Sequence, residues 1–133
     1  MYGTLDISTS GMVAQRTRMA VIANNIANAN SIENAKGEYE PYLRRAAMLS
    51  PAESDGQLRG VEVSDIQIQE GALKPEHRPG HPNADANGYI MVPDIDTTSE
   101  WVNGLQASRA YEANVVAAEA TKSMMAQALR LLA

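Results

Sequence analysis

The chain has no cysteine and no phenylalanine, and aromatic residues make up only 5% of its 133 residues. Without cysteine it can have no disulfide framework, no thiolate nucleophile and no cysteine-ligated metal. A single domain of this size normally packs several large rings at its centre. Here the core has to be built from Ala, Val, Ile, Leu and Met.

Basic residues and long apolar runs are also scarce. Lys and Arg number 11 against 16 Asp and Glu, a net charge of −5. This balance argues against nucleic-acid binding, which depends on neutralising phosphates. No apolar run approaches the ~20 residues that span a bilayer. The first residues lack the basic segment of a secretory signal, and residues 20–23 are too short for its apolar centre, so we expect no cleaved signal peptide.

The distribution of proline divides the chain into three predicted parts. All six prolines lie between Pro41 and Pro93, and residues 37–100 hold 12 acids against 5 bases. Long helices are therefore permitted only towards the two ends. The sequence predicts an N-terminal helix and Asn-rich turn (1–35), an acidic β/loop segment (36–96) and a C-terminal helix (97–133).

The N-terminal part predicts a helix over residues 5–28. Apolar residues recur there every seven positions, with Ile22 on the same stripe, which is the pattern of a helix that faces a partner helix. The recurring residues are Leu5, Met12, Met19 and Ile26. Asn24, Asn25 and Asn28 lie around Ile26. Because asparagine readily adopts the left-handed conformation, we expect these residues to end the helix.

The C-terminal part predicts a longer helix. Thr97 with Glu100 fits a capping box, and the next 32 residues contain one glycine and no proline. At ~1.5 Å per residue the helix would be about 50 Å long, more than a compact domain of this size could cover. Its apolar face at 3–4 spacing consists of Leu105, Ser108, Tyr111, Val115, Ala118, Met125, Leu129 and Leu132.

The middle part predicts a β-hairpin or a three-stranded sheet. Apolar and polar residues alternate over residues 61–63 and again over residues 66–68, but the apolar residues fall on odd positions in the first and even positions in the second. A bulge is therefore expected near Ser64. Residues 42–49 and 89–92 are further candidate strands. The glycines and prolines between positions 71 and 82 predict turns or an open loop.

Catalytic and metal-binding motifs have little support. His77 and His81 are four apart, but the neighbouring prolines forbid the helix that would aim both rings at one metal. Residues 83–94 place oxygens at positions 1, 3, 5 and 12 of a Ca²⁺ loop with Gly88 at position 6, and a calcium-binding module is an alternative function. Only Asp85 and Asp94 there are carboxylates, so the ordinary interpretation is an Asx-rich turn before a strand. No phosphate-binding loop or nucleophile motif occurs, and we expect no enzyme activity.

Three separated motifs resemble those of one protein family. Residues 21–31 (VIANNIANANS) resemble the N-terminal motif of bacterial flagellar rod and hook proteins, and residues 108–115 (SRAYEANV) resemble their C-terminal motif. Residues 84–96 are similar to a stretch particular to a proximal rod member. The resemblance covers nearly the whole chain, with Ser31 in place of the usual Thr, Trp101 where Met is common, and a poor match over residues 50–60.

The resemblance implies a structural subunit and no enzyme, cofactor or small-molecule substrate. Its fold would be mainly α with a small β segment, the terminal helices pairing as an antiparallel coiled-coil-like hairpin. Family members leave the cell unfolded through the flagellar type III export apparatus and polymerise in the periplasmic space into the helical rod of the basal body. Implied partners are copies of the chain, other rod proteins and proteins at the junction of the inner-membrane ring and export gate. A helical-hairpin adaptor or export chaperone remains an alternative function.

The residues expected to carry assembly lie on both helices. They combine the apolar stripes with the polar residues of the two helical motifs. They are Leu5, Met12, Met19, Ile22, Asn24, Asn25, Ile26 and Asn28 at the N-terminal end, and Leu105, Arg109, Tyr111, Asn114, Val115, Met125 and Leu129 at the C-terminal end.

Overall fold

A computed structural model describes residues 2–133, so residue 1 of the predicted N-terminal part lies outside it. Within that range two helices flank four strands. Their order is α1 (Tyr2–Ala27), β1 (Arg45–Ser54), β2 (Gln57–Ile68), β3 (Leu73–His77), β4 (Tyr89–Pro93) and α2 (Thr97–Leu132). The fold is mainly helical with a small antiparallel β segment in the middle, as the sequence predicts.

Helix α1 ends close to the predicted position but by a different route. Asn24 and Asn25 lie inside the helix, and the chain then enters a turn in which the Asn28 side chain donates to the Asn24 carbonyl at 2.9 Å. Among residues 2–133 the only non-glycine residue with a positive φ is Asp55. The expectation of a left-handed asparagine is therefore wrong, since the Asn28 side chain and the Asn28 and Ala29 amides bond carbonyls of the last turn instead.

The capping residue of α2 also differs from the prediction. Asp96 is the N-cap, and its carboxylate accepts hydrogen bonds from the Thr98 amide at 3.0 Å and the Ser99 hydroxyl at 2.7 Å. The predicted box of Thr97 with Glu100 does not form. Glu100 is buried against α1, where its carboxylate accepts a hydrogen bond from Asn25. The carboxylate is therefore not available to bond the helix N-terminus as a capping box requires.

We expect the Asp96 cap to weaken in acid. Hydrogen bonds from Ser99 and Thr98 lower the pKa of Asp96 from its ordinary value of 3.8. Because the folded-state pKa is the lower one, the carboxylate stabilises the fold at neutral pH, and this contribution is lost as pH falls through the folded-state pKa. Asp96→Asn keeps a capping oxygen but loses the charge at the helix N-terminus. Its thermal midpoint, followed by circular dichroism, should lie below that of the wild type at pH 7.

The difference in thermal midpoint between the wild type and Asp96→Asn should narrow as pH falls below 3.8, the ordinary pKa of an aspartate carboxyl. Asp94→Asn, a change at an exposed aspartate two residues before the cap, is the matched control and should follow the wild type. A difference between wild type and Asp96→Asn that stays constant into strong acid would contradict this role for the carboxylate.

The first β-hairpin is long and carries the expected bulge. Strands β1 and β2 pair antiparallel around Asp55 and Gly56, both with positive φ, which suits a two-residue hairpin turn. Met48 pairs with Asp65 and Leu49 with Val63. Ser64 is therefore the extra residue, and the bulge predicted from the change in alternation is confirmed. A second irregularity lies between Pro51 and Glu53.

Strand β3 corrects the prediction for the following segment. Residues 73–77 were expected in turns or an open loop, but they pair antiparallel with β4, with Pro75 opposite Met91. Proline is tolerated because a two-stranded sheet has only edge strands, so the missing amide need not face a partner. The middle segment thus contains two separate two-stranded sheets rather than one hairpin or one three-stranded sheet.

The buried interior is small for the length of the chain. The larger apolar and alanine side chains buried among residues 2–133 are Ala14, Val21, Ile22, Ile90, Val92, Pro93, Ile95 and Ala107. The accessible surface is 9080 Å², whereas a compact monomer of this mass would expose roughly 6,800 Å². No helix in the described range is long and apolar enough to cross a membrane. Much of the apolar surface of the helices is therefore left uncovered by the chain itself.

Candidate assembly interface

Helices α1 and α2 pack against each other in opposite directions. Asn25 contacts Glu100, a β-carbon added at Gly104 would touch Ile22, and one added at Gly11 would collide with the Asn114 side chain. Because the contact positions on α2 rise as those on α1 fall, the helices are antiparallel. Glycine at two of the three contacts lets the helix backbones come close, as small residues do wherever helices pack tightly.

The buried stripe of α1 consists of small and polar residues. Ser8, Gly11, Ala14 and Asn25 are buried there, together with Val21 and Ile22. Of the predicted apolar stripe, Ile22 lies in this contact. Leu5, Met12, Met19 and Ile26 are half-buried along its flank. Their large side chains border the helix–helix contact and leave apolar surface facing outward.

On α2 the contact with α1 also uses smaller residues than expected. Glu100, Ala107 and Thr121 are buried, whereas Leu105 and Leu129 are 55% and 67% exposed. Neither leucine is therefore buried in the helix–helix contact. A close approach of the backbones leaves room for alanine and threonine between the helices but not for leucine.

The remaining predicted residues have varied positions. Tyr111, Asn114, Val115 and Met125 are half-buried on α2, while Arg109 is exposed. Asn114 donates to the Ala110 carbonyl at 2.8 Å and covers Gly11. On α1, Asn24 is exposed and Asn28 is half-buried.

Asn25 is fully buried where both helices meet the first hairpin. Its amide nitrogen donates to the Arg45 carbonyl at 2.8 Å and to the Glu100 carboxylate at 3.1 Å. Its amide oxygen accepts from the Tyr42 hydroxyl and the Arg45 amide, both at 3.0 Å. All four hydrogen bonds that this side chain can make are formed. Asn25 therefore fixes α1 to α2 and to the start of β1 at the same point.

An ion pair completes this cluster. The Arg44 guanidinium binds the other oxygen of Glu100, whose side chain is only 2% exposed while that of Arg44 is 24% exposed. Burial raises the pKa of the Tyr42 hydroxyl, with the Arg45 charge opposing that shift and Glu100 adding to it. Buried groups of this kind require complete pairing because each unpaired one costs free energy. We call Asn25, Tyr42, Arg44 and Glu100 the polar junction.

Sequence reasoning missed three of the four junction residues. Tyr42 lay in a candidate strand, the Arg44–Arg45 pair is too small a basic cluster to indicate a site, and Glu100 was assigned to a cap. The one available signal was Asn25, which lies in the asparagine-rich N-terminal motif. Its partners are up to 75 positions away in sequence, so local spacing could not identify them.

The first hairpin crosses α1 at a second point. Gly60, with φ of 105°, passes so close that a β-carbon there would overlap the Ser10 hydroxyl and lie 3.3 Å from the Ile7 Cα atom. Ser10 accepts a hydrogen bond from the Val61 amide at 3.1 Å and donates to the Ile7 carbonyl at 2.7 Å. This crossing and the polar junction hold β1 and β2 along the helix pair.

An apolar groove of about 500 Å³ lies between the helices near the polar junction. Met19, Ile22 and Ile26 of α1 form one wall, and Trp101 and Leu105 of α2 form the other. Trp101 is 68% exposed. The groove therefore presents to solvent large apolar residues at the edge of the helix–helix contact, and we refer to it as the apolar groove.

The segment proposed for calcium has an ordinary local structure. Asp85 accepts hydrogen bonds from the Asn87 and Tyr89 amides, both at 2.9 Å, just before β4 begins. This is the Asx-rich turn of the ordinary interpretation. Within residues 2–133 no three His, Asp or Glu side chains are grouped so as to hold a metal ion. His77 lies on β3 and His81 in the following turn, not on one helix.

Comparison with known proteins finds flagellar rod families at both ends of the chain. A family model described as flagella basal body rod protein matches residues 5–36, and one described as flagellar basal body rod FlgEFG protein C-terminal matches residues 86–131. The flagellar basal-body rod protein FlgC of Salmonella typhimurium is 38% identical over 132 residues, covering 98% of this chain and 97% of the relative. The chain belongs to the FlgC family of flagellar basal-body rod proteins.

More distant FlgC relatives also match nearly the whole chain. The Bacillus subtilis protein is 34% identical over 145 residues, and the Borreliella burgdorferi protein is 31% identical over 150 residues, each matched over 97% of its own length. As a member of this family the chain is a structural subunit of the flagellar basal-body rod and not an enzyme. It assembles with other basal-body rod components, and nothing in the structure or the comparisons favours the calcium module or the adaptor.

Proposed function

We propose that this FlgC-family chain polymerises through its paired terminal helices into the proximal part of the rod, which acts as a helical drive shaft. In this proposal residues 1–35 and 97–133 form the rod core as an antiparallel coiled-coil-like hairpin, and residues 36–96 face outward or contact neighbours. The chain would reach the periplasmic space through the flagellar type III export apparatus. Its partners would be its own copies, other rod proteins and proteins at the junction of the inner-membrane ring and export gate.

The observation that carries this proposal is the uncovered surface of the helix pair. Apolar side chains on both helices point away from the helix–helix contact, among them Val13 and Val116, which are 59% and 64% exposed. Large exposed apolar surfaces are typical of sites that contact other protein molecules. A contact between two different faces of identical subunits does not close and produces a helical filament.

The assembly residues divide into two roles in this proposal. Asn25, Ile22, Asn114 and Tyr111, which lie in or beside the helix–helix contact, shape the subunit. Other members of the predicted set present side chains to neighbouring subunits. These are Leu5, Met12, Met19, Ile26, Leu105, Arg109, Val115, Met125 and Leu129, with Asn24 and Asn28 at the turn after α1.

Charge placed on the outward faces should block rod growth without unfolding the subunit. We expect Val13→Asp and Val116→Asp to abolish swimming in cells that carry the variant as their only copy, because a neighbouring subunit would bury an unpaired carboxylate. Val13→Ala and Val116→Ala are matched controls and should retain at least half of wild-type swimming. Basal bodies isolated from each strain and viewed by electron microscopy report whether the rod is present.

Circular dichroism of the purified Asp variants separates assembly from folding, since both positions are exposed and helix content should stay at the wild-type level. Complete rods in both Asp variants would show that these faces remain in solvent and would overturn the proposed mode of assembly.

A further inference from the structure

The outer edge of β4 has no strand beside it. Among the strands of residues 2–133, β4 pairs only with β3. Met91 lies opposite Pro75, which has no amide hydrogen to donate, and the Met91 amide and carbonyl both bond to a side chain outside the sheet, that of Tyr39. Because residues two apart in an antiparallel strand direct their backbone groups to the same side, those of Tyr89 point outward as well.

Two residues bond these outward backbone groups in place of a strand. The Tyr39 hydroxyl donates to the Met91 carbonyl at 2.6 Å and accepts from the Met91 amide at 3.0 Å. The Asp85 carboxylate accepts from the Tyr89 amide, and the Asp85 amide donates to the Tyr89 carbonyl, both at 2.9 Å. All four groups that a neighbouring strand would bond at Tyr89 and Met91 are therefore already bonded.

Tyr39 is held in place by a loop that has hydrogen bonds of its own. Tyr39 forms an isolated bridge with Glu33. Between them the Asn34 side-chain oxygen accepts from the amides of Lys36 and Glu38, at 2.9 Å and 3.0 Å. The hydroxyl thus reaches a strand edge that is 52 positions away in sequence from a loop whose shape is fixed locally.

Of the four strands in residues 2–133, β4 is the one without a charged side chain. Its sequence is YIMVP, whereas β1, β2 and β3 each contain an acidic and a basic residue. Tyr89 and Met91 are 44% and 41% exposed. An uncharged edge of aromatic and apolar residues favours pairing between chains, and proteins protect such edges with charge, proline or a covering segment. Pro75 already interrupts the outer edge of β3, so β4 is the edge that needs cover.

We propose that Tyr39 and Asp85 hold the outer edge of β4 closed against β4 of a second copy, as an autoinhibitory contact. A second copy is the partner because this edge is complementary to itself. A two-fold axis at Met91 places that residue opposite its own counterpart, where the two exchange both backbone hydrogen bonds and no charges repel each other. Such a contact closes as a dimer, whereas the proposed rod contacts do not close, so this proposal is independent of the rod interface.

Opening the edge should make the purified chain dimerise. Tyr39→Ala removes the hydroxyl that bonds the Met91 amide and carbonyl. The mass measured by sedimentation equilibrium should then rise about twofold over that of the wild type at the same concentration. Adding Asp85→Ala releases the Tyr89 amide from the carboxylate as well, and the double variant should dimerise at a lower concentration than Tyr39→Ala alone.

A charge on the opened edge should reverse the association. Met91→Lys in the Tyr39→Ala chain should return the mass to the wild-type value, because like charges would lie directly opposite each other. Met48→Lys in the same chain is the matched control, since Met48 is also 41% exposed but lies on β1, and it should leave the dimer in place. Each lysine adds one positive charge to a chain of net charge −5, so both weaken the general repulsion between copies equally.

Either of two results would overturn the closed edge. A Tyr39→Ala chain with the wild-type mass would show that the opened edge does not pair. Association that Met91→Lys does not relieve, or that Met48→Lys relieves equally, would place the contact elsewhere. If circular dichroism shows that Tyr39→Ala has lost its fold, Tyr39→Phe, which loses only the hydroxyl, is measured under the same criteria. These measurements involve no rods, so they leave the proposed function to its own test at Val13 and Val116.

Discussion

Replacing Glu100 with leucine should destabilise the subunit by about 3 kcal/mol, at the low end of the range for breaking a buried ion pair because Arg44 keeps some contact with water. Glu100→Leu removes one acceptor from Asn25 and leaves Arg44 without its partner in a half-buried site. Unfolding by urea, followed by circular dichroism, measures the loss. Glu119→Leu, an exposed glutamate on the same helix, is the matched control and should change stability by less than about 0.5 kcal/mol.

A second variant separates the ion pair from the packing around it. In Arg44→Met with Glu100→Leu no charge is left unpaired, so we expect the double variant to recover part of the loss seen in Glu100→Leu. Equal stability of Glu100→Leu and Glu119→Leu would show that the polar junction contributes no stability and would contradict the prediction.

Gly60→Ala should lower the free energy of unfolding by about 3 kcal/mol, which is the second large effect expected for this fold. Its φ of 105° disfavours any side chain, and the new β-carbon would overlap Ser10. Gly56→Ala is a matched control in the same hairpin, with φ of 74° and open space around it. That control carries only backbone strain, about 1 kcal/mol, so the difference between the two variants reports the close approach of β2 to α1 together with any additional strain at the larger φ of Gly60.

Removing the Ser10 hydroxyl should reduce the loss of stability caused by Gly60→Ala. Combining Ser10→Ala with Gly60→Ala takes away the hydroxyl that the β-carbon meets, and the two changes should therefore be less costly together than their separate effects predict. The hydrogen bond to the Val61 amide is also lost, so the rescue is partial. If Gly60→Ala and Gly56→Ala unfold at the same urea concentration, the crossing has no steric role.

Much of the fold could be predicted from local rules. Proline is confined to the middle, which leaves only the ends free to form long helices, and both helices form there. The change in alternation around Ser64 predicted a bulge because side chains alternate strictly along a strand, so an inserted residue reverses the pattern. These features depend on residues close together in sequence. Strand β3 was missed because Pro75 favours a loop unless a neighbouring edge strand is known.

The helix–helix contact was only partly predictable, because the periodicity of large apolar residues predicts that those residues form the contact. The stripe of Leu5, Met12 and Met19 is real, but it borders the contact instead of forming it. Gly11 and Ala107 let the backbones approach, and at that separation large side chains are displaced to the flanks. The polar junction was beyond reach of spacing arguments because it joins residues from α1, the segment before β1 and α2.

The position of Asn25 has a mechanical consequence for the proposed drive shaft. Its amide is bonded to both α2 and the start of β1, so sliding α1 along its axis would strain these bonds together and not one after another. A torque transmitted along the helices would therefore meet little yielding up to a threshold and then an abrupt failure. Within each subunit, the resistance of α1 to axial sliding would depend on this amide as well as on the apolar residues around it.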